Sequence, residues 1–326
     1  MTRQKKGIYV LTVILLVVFY LVIMGLNKLG VLNSYAISIL RLVCINIVLA
    51  VSLNITVGNL GQITLGHAGF MSIGAYSAAI FAKMGILPGI PGYIVGLLLG
   101  GVLACLVGIL IGIPTLRLKG DYLAIVTLAF GEIIRVLIEY FKFTGGAQGI
   151  GGIPRVQSFG ILFAIMCISV ALMFSVMTSR HGRAVLSIRE NEIAAQSSGI
   201  NVTYYKTFAF ALSAFFAGIA GAMYAHNLGF VGAKDFGYNK SFDILVMVVL
   251  GGMGSFTGAI FSSTALTIIP EMLRQFSDYR MIVYSLLLIM MMIFRPEGLL
   301  GRKEFSITGL VNSLVNRASR RRGDKS

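Results

Sequence analysis

Glu132, Arg135 and Glu139 fall at i, i+3 and i+7, which on a helix puts two carboxylates and a guanidinium on one face. Inside a membrane such a set is either a structural charge network or a proton relay. A second polar group, Asn54, Asn59, Gln62, Thr64 and His67, is interleaved with Gly58, Gly61, Gly66 and Gly69. Amides satisfy backbone groups freed where helices break, and glycines let helices approach closely. This group therefore either lines a path or bonds helices together, and His67 alone reads as a hydrogen-bonded core histidine. A third candidate break is GGMGSFTG, carrying Gly251, Gly252 and Gly254. Serine hydrolysis through Ser255 with His67 or His226 is set aside, since no G-x-S-x-G motif is present. Cys44, Cys105 and Cys167 each sit in an apolar run without ligand spacing, so no metal site is expected. No G-x-x-x-x-G-K-[ST] occurs, so the chain cannot cradle ATP phosphates by that route and any ATPase must be a separate chain.

A fourth stretch, RENEIAAQSSGI (189–200), is short and polar between long apolar runs. Asn191 is a good N-cap, Glu192 suits the positive end of a helix dipole, and Gly199 fits the position that closes a helix. The helix would be about two turns long, too short to be stable alone. A membrane-lying helix needs bulky apolar anchors and a basic face. This one offers Ala194, Ala195, Ser197 and Ser198, which favours insertion into a protein groove.

The elements that must position these groups are apolar. Of 326 residues, 57% are hydrophobic and 12% charged, and the mean hydropathy is +0.88. A soluble domain carries about twice that charged share. Runs of about 20 apolar residues, each long enough to cross a bilayer core, recur at 8–26, 34–57, 63–82, 92–113, 121–141, 158–178, 207–227, 239–252, 254–270 and 280–294. The expected fold is all-α, a polytopic integral membrane protein of about ten transmembrane helices, some short or broken. β-Barrel alternation is absent. The first run is read as a retained span, because its apolar stretch exceeds the roughly 7–15 residues of a cleavable signal core.

Charge orients the bundle. With Arg3, Lys5 and Lys6 inside, the 179–206 loop also falls inside, and ten spans return the basic tail to the same face. Both termini are thus expected in the cytoplasm. The net charge of +15 reflects these span ends and the tail rather than a nucleic-acid site. Residues 1–305 are expected to form the membrane domain, and 306–326 a basic tail that either lies on anionic lipid or is disordered. The loops 141–158 and 226–241 are long, polar and glycine-rich, either connectors or docking surfaces on the far side. LGHAGFMSIGA (65–75) and LGGMGSFTGA (250–259) echo one another, which hints at a duplicated architecture.

EIAAQSSGINVTYYKTFAFALSAFFAGIAGAMYA (192–225) resembles the cytoplasmic coupling loop of ABC-importer permeases, specifically those for branched-chain amino acids. LNITVGNLGQITLGHAGFMSIGAYSAA (53–79), LKGDYLAIVTLAFGEIIR (118–135), LVMVVLGGMGSFTGAIFSS (245–263) and RPEGLLG (295–301) agree, in order, and the match is closest to the LivM-type subunit. The resemblance implies a multi-pass subunit of a bacterial inner or plasma membrane that does no bond chemistry. Its partners would be a second, non-identical permease chain, two ABC ATPase subunits and an extracytoplasmic substrate-binding protein. ATP and Mg would be bound by the ATPase, with no cofactor in this chain. The implied ATPase contacts are Glu190, Glu192, Ala194, Ala195 and Gly199. Where the wider pattern has Glu-Ala-Ala, this chain reads Glu-Ile-Ala-Ala. The implied cargo is leucine, isoleucine or valine, though related permeases carry other amino acids, amides or urea. The rival reading is an ion-coupled secondary transporter or facilitator acting without an ATPase.

Overall fold

The computed structural model describes residues 33–156 and 158–273, with 17, 18, 20–26, 285, 286, 289, 290, 293, 294, 298, 299 and 301. The expected first span at 8–26, the last at 280–294 and the basic tail lie wholly or largely outside the described residues. The chain divides into two units, 1–38 with 303–326, and 39–302. The first contributes the helical residues 20–26 and the opening of α1. The second holds everything that follows.

Ten α-helices are complete among the described residues: α1 (Ser34–Asn54), α2 (His67–Lys83), α3 (Gly89–Thr115), α4 (Asp121–Tyr140), α5 (Phe159–Thr178), α6 (Arg180–Glu190), α7 (Glu192–Ser197), α8 (Val202–Leu228), α9 (Tyr238–Gly251) and α10 (Phe256–Met272). Among the described residues, four stretches are long and apolar enough to cross a membrane: Ser34–Asn59, Gly89–Thr115, Phe159–Thr178 and Val202–Leu228. The others are shorter or carry charge. α1 runs on into a π-helical turn, Ile55–Asn59, a widened form that recurs at functional sites.

The core is the trio α2, α3 and α8, and glycine makes it possible. A Cβ on Gly74 of α2 would collide with the backbone of Gly218 on α8, and one on Gly221 with the carbonyl of Met71. On α3, a Cβ at Gly100 would stand 2.8 Å from the Gly74 carbonyl, and one at Gly108 2.7 Å from the Ala214 Cβ. Backbones this close gain dispersion contacts that larger residues would forbid, the packing mode that replaces the hydrophobic effect between membrane helices. α8 is accordingly 78% buried over its most apolar window, whereas α3 keeps Leu98, Val102, Leu106 and Leu110 on an exposed ridge. Lipid or another apolar chain suits that ridge.

Three expectations are corrected here. The run at 63–82 becomes helical only at His67: Gly61 takes φ +75° and the Leu65 N–H donates to Thr127 Oγ1 at 3.0 Å, so the segment is tied to α4 instead of to its own helix. The all-α expectation misses a two-residue antiparallel ladder, β1 (Ile150–Gly151) with β2 (Phe230–Val231). The ladder joins the two polar loops, so they are not plain connectors: Ile150, Ile153, Val231, Ala233 and Phe236 are buried, while Phe143, Phe230 and Tyr238 stay exposed. His226 Nδ1 donates to the Pro154 carbonyl at 2.8 Å, and the Ile153 N–H to the Gly229 carbonyl at 3.2 Å. The apolar stretch Phe242–Ile269 is two helices, α9 and α10, meeting at the expected glycine turn.

Candidate functional site

Two helix breaks face each other. The first follows the π-helical turn at the end of α1. The second is the turn between α9 and α10, where Gly252 and Gly254 take φ of +106° and +98°, a region that only glycine enters freely. Asn54, fully buried, spans them: its Nδ2 donates to the Ser255 carbonyl at 3.1 Å, and its Oδ1 accepts from the Gly254 N–H at 2.9 Å. One amide thus satisfies a donor and an acceptor that the break in α9–α10 would leave bare. Gly58 is obligatory opposite, since a Cβ there would run into Asn54 Oδ1 and the Gly254 backbone nitrogen. Ser255 caps α10 by accepting from the Gly258 N–H at 3.0 Å. Gly251 packs on the Gly258 backbone, Gly298 and Gly301 pack on Gly252, and the Leu299 N–H donates to the Leu250 carbonyl at 2.8 Å.

The remaining polar candidates sort by partner. His67 Nε2 lies 2.8 Å from Ser52 Oγ, both buried, which fits a bonded core histidine. Thr64 Oγ1 is 3.4 Å from Thr56 Oγ1, itself bonded to the Leu53 carbonyl. Asn59 Nδ2 and Gln62 Oε1 are buried and find no hydrogen-bond partner among the described residues. The echo between 65–75 and 250–259 thus marks two places with one role, each a chain break that starts a new helix.

The charged set is paired. Arg135 Nε donates to Glu132 Oε2 at 2.6 Å and its Nη1 to Glu139 Oε2 at 3.1 Å, while Glu132 Oε1 accepts from the Tyr238 N–H at 2.7 Å. The set is not deep in the bundle. It is half-buried, and Glu132 and Arg135 line a cavity of about 380 Å³ with Lys234, Asp235 and Asp243, beside the loop that precedes α9.

The polar segment is built as a capped helix. Asn191 Oδ1 accepts from the Ala194 N–H at 3.0 Å. At the other end Gly199, φ +82°, closes α7: its N–H reaches the Gln196 carbonyl at 3.0 Å and that of Ile200 the Ala195 carbonyl at 3.1 Å, a Schellman closure. Glu192 holds the helix to α8 by accepting from Lys206 Nζ at 2.9 Å, and Lys119 adds a looser contact at 3.5 Å. Lys206 is only 5% exposed, so this pair is screened little, whereas Lys119 is exposed and contributes little. Glu190, Ala194 and Gly199 are exposed, but Ala195 is buried. The residue that sequence reasoning passed over is Ile193, 76% exposed. A lone large apolar residue between a capping box-like start and a run of small residues was the available signal.

Burial works against the charged form of Glu192, but the hydrogen bond from Lys206 and the charges of Lys206 and Lys119 outweigh it, holding the carboxyl below its usual range. A depressed folded-state value means the stabilisation is complete above the ordinary glutamate value of 4.5 and is lost as pH falls through the folded one. Amide exchange of 192–200, corrected for intrinsic rate, should stay slow at neutral pH and speed up in acid below that value. Lys206→Met should remove the acid step. An unchanged step in that variant would mean another group titrates.

Facing helix breaks inside a glycine-packed apolar bundle, with a capped polar helix on a separate loop, belong to a class of multi-pass membrane proteins. Within that class the chain belongs to the family of branched-chain amino acid transport system / permease components, whose model matches residues 35–294. It is 37% identical over 264 residues to the high-affinity branched-chain amino acid transport system permease protein LivM of Salmonella typhimurium, covering 70% of this chain and 61% of that protein. The corresponding LivH protein of Escherichia coli is 29% identical over 137 residues, covering 41% of this chain and 44% of the relative. A probable LivM permease of Methanocaldococcus jannaschii is 23% identical over 237 residues, 64% of this chain and 68% of that protein. The chain therefore spans about three-fifths of the length of the first of these relatives. No solved structure matches it.

Proposed function

We propose that this chain is the permease subunit of an ATP-driven importer for branched-chain amino acids, working in a bacterial inner or plasma membrane. It crosses the membrane about ten times, with both termini and the 179–206 loop in the cytoplasm. A second permease chain completes the path, two ATPase subunits seat on the loops, and a binding protein delivers leucine, isoleucine or valine from outside. No bond is made or broken in this subunit, and ATP with Mg stays in the ATPases. Closure of the ATPases displaces α7, and the facing breaks switch the path from outward- to inward-open.

The observation that carries this reading is α7 itself. A helix of six residues is too short to persist unless held, yet it is capped at both ends and pinned through Glu192 while Ile193 and Ala194 stand clear. That combination suits insertion into a cleft on another protein. The names of its relatives supply the cargo, since nothing in the breaks selects one side chain.

The test is reconstitution. Leucine uptake into proteoliposomes should need the ATPases, the companion permease, the binding protein and ATP together. Ile193→Asp, at a side chain 76% exposed, should lower ATPase co-purification and uptake by about tenfold, the loss expected when an apolar anchor buried in an interface is replaced by a charge. Uptake by this chain alone, driven by a proton or sodium gradient, would instead establish an ion-coupled carrier.

A further inference from the structure

Arg189 touches both helix breaks from the element that carries α7. It lies in the last turn of α6, and Asn191 alone separates α6 from α7. Its stem rests on Gly61, where a Cβ would stand 2.9 Å from Arg189 Cγ. Its guanidinium reaches the other break, where a Cβ on Gly254 would stand 2.9 Å from Nη1 and 3.5 Å from the Gly58 carbonyl. Both glycines have left-handed φ, +75° and +98°, so any side chain there would be strained as well as obstructed. The chain has therefore kept both surfaces bare where this one arginine lies.

Two further observations make the junction more than packing. α6 is firmly seated, with Gly182, Val185 and Ile188 buried, so a push on α7 is carried by a stiff element. On either side of Gly61 in the chain, Asn59 Nδ2 and Gln62 Oε1 are buried without partners among the described residues. Such groups cost free energy where they stand, and a second arrangement of the break that pairs them would recover it. That is the property required of an element with two discrete states.

We infer that Arg189 is a positioning residue for transport: it transmits displacement of the α6–α7 segment to the facing breaks at Gly58–Gly61 and Gly252–Gly254. The inference rests on the ATP-driven reading above. It concerns a step after docking, so it separates docking from gating.

The experiment uses the complete reconstituted complex, with radiolabelled leucine uptake and ATP hydrolysis followed in parallel. Arg189→Ala should leave ATPase subunits bound and hydrolysis within about twofold, while leucine moved per ATP falls about tenfold, the scale of an ordinary coupling free energy. Arg189→Met keeps the stem on Gly61 and removes the cation from Gly254, so it should fall between wild type and Ala. Arg189→Lys should restore most of the coupling. Unchanged leucine per ATP in both Ala and Met variants overturns the inference, as does loss of ATPase co-purification in step with uptake, which would make Arg189 a docking residue. Should Arg189→Ala fail to assemble, the Met variant decides alone: full coupling overturns the proposal and partial coupling supports it. A wild-type complex with no ATP-dependent uptake would instead sink the importer reading, and this inference with it.

Discussion

Gly74→Val will leave almost no folded protein. A methyl group on Gly74 would overlap the Gly218 backbone, one on Gly218 would overlap the Gly100 carbonyl, and one on Gly100 would press on the Gly74 carbonyl. The three central helices would have to move apart together, because a backbone cannot rotate out of the way as a side chain can. Overpacking of a dense core costs about 1–3 kcal/mol, and a clash against the Gly218 backbone belongs at or above the top of that range. The expected result is a fall in the thermal midpoint in detergent and loss of the monodisperse peak on size exclusion. A valine variant that melts at the wild-type temperature would mean the trio is not packed as described.

Asn54→Leu should be nearly as damaging, and for a different reason. Leucine fills a similar volume but leaves the Gly254 N–H and the Ser255 carbonyl without their partner. Each buried unpaired group costs about 1–3 kcal/mol, and no water in an apolar bundle replaces the amide. Asn54→Asp separates the two halves of the effect, since a carboxylate accepts from Gly254 but cannot donate to Ser255. We expect leucine to abolish uptake and lower the thermal midpoint, and aspartate to do both less. Equal behaviour of the two variants would show that the pair of hydrogen bonds is not what holds the breaks together.

Much of this was legible in the sequence because it is local. Apolar runs located the helices, since length and hydropathy are properties of a contiguous segment. The caps of α7 were readable at Asn191 and Gly199 because helix ends need particular residues within three positions. The Glu132–Arg135–Glu139 pairing was readable for the same reason, being set by helical spacing. What escaped was non-local. Glu192 finds Lys206 and Lys119 on other elements, and Ala195 turns inward because of what α7 packs against. The glycines of the breaks were visible as candidates, but only the fold shows that they meet across two hundred residues, around Asn54 and under Arg189.

The loop ladder has a mechanical consequence. Ile150 with Val231, Pro154 with His226 and Val156 with His226 stitch the α4–α5 connection to the α8–α9 connection in a clasp that also takes the Tyr76 hydroxyl on the Val231 carbonyl. At the opposite end of α8, α7 is held among the described residues by the Glu192–Lys206 pair, the looser Lys119 contact and the buried Ala195. A body bolted at one rim and lightly latched at the other pivots about the bolted rim. In the importer proposed above the clasp would serve as the fulcrum, with the length of α8 as the lever arm.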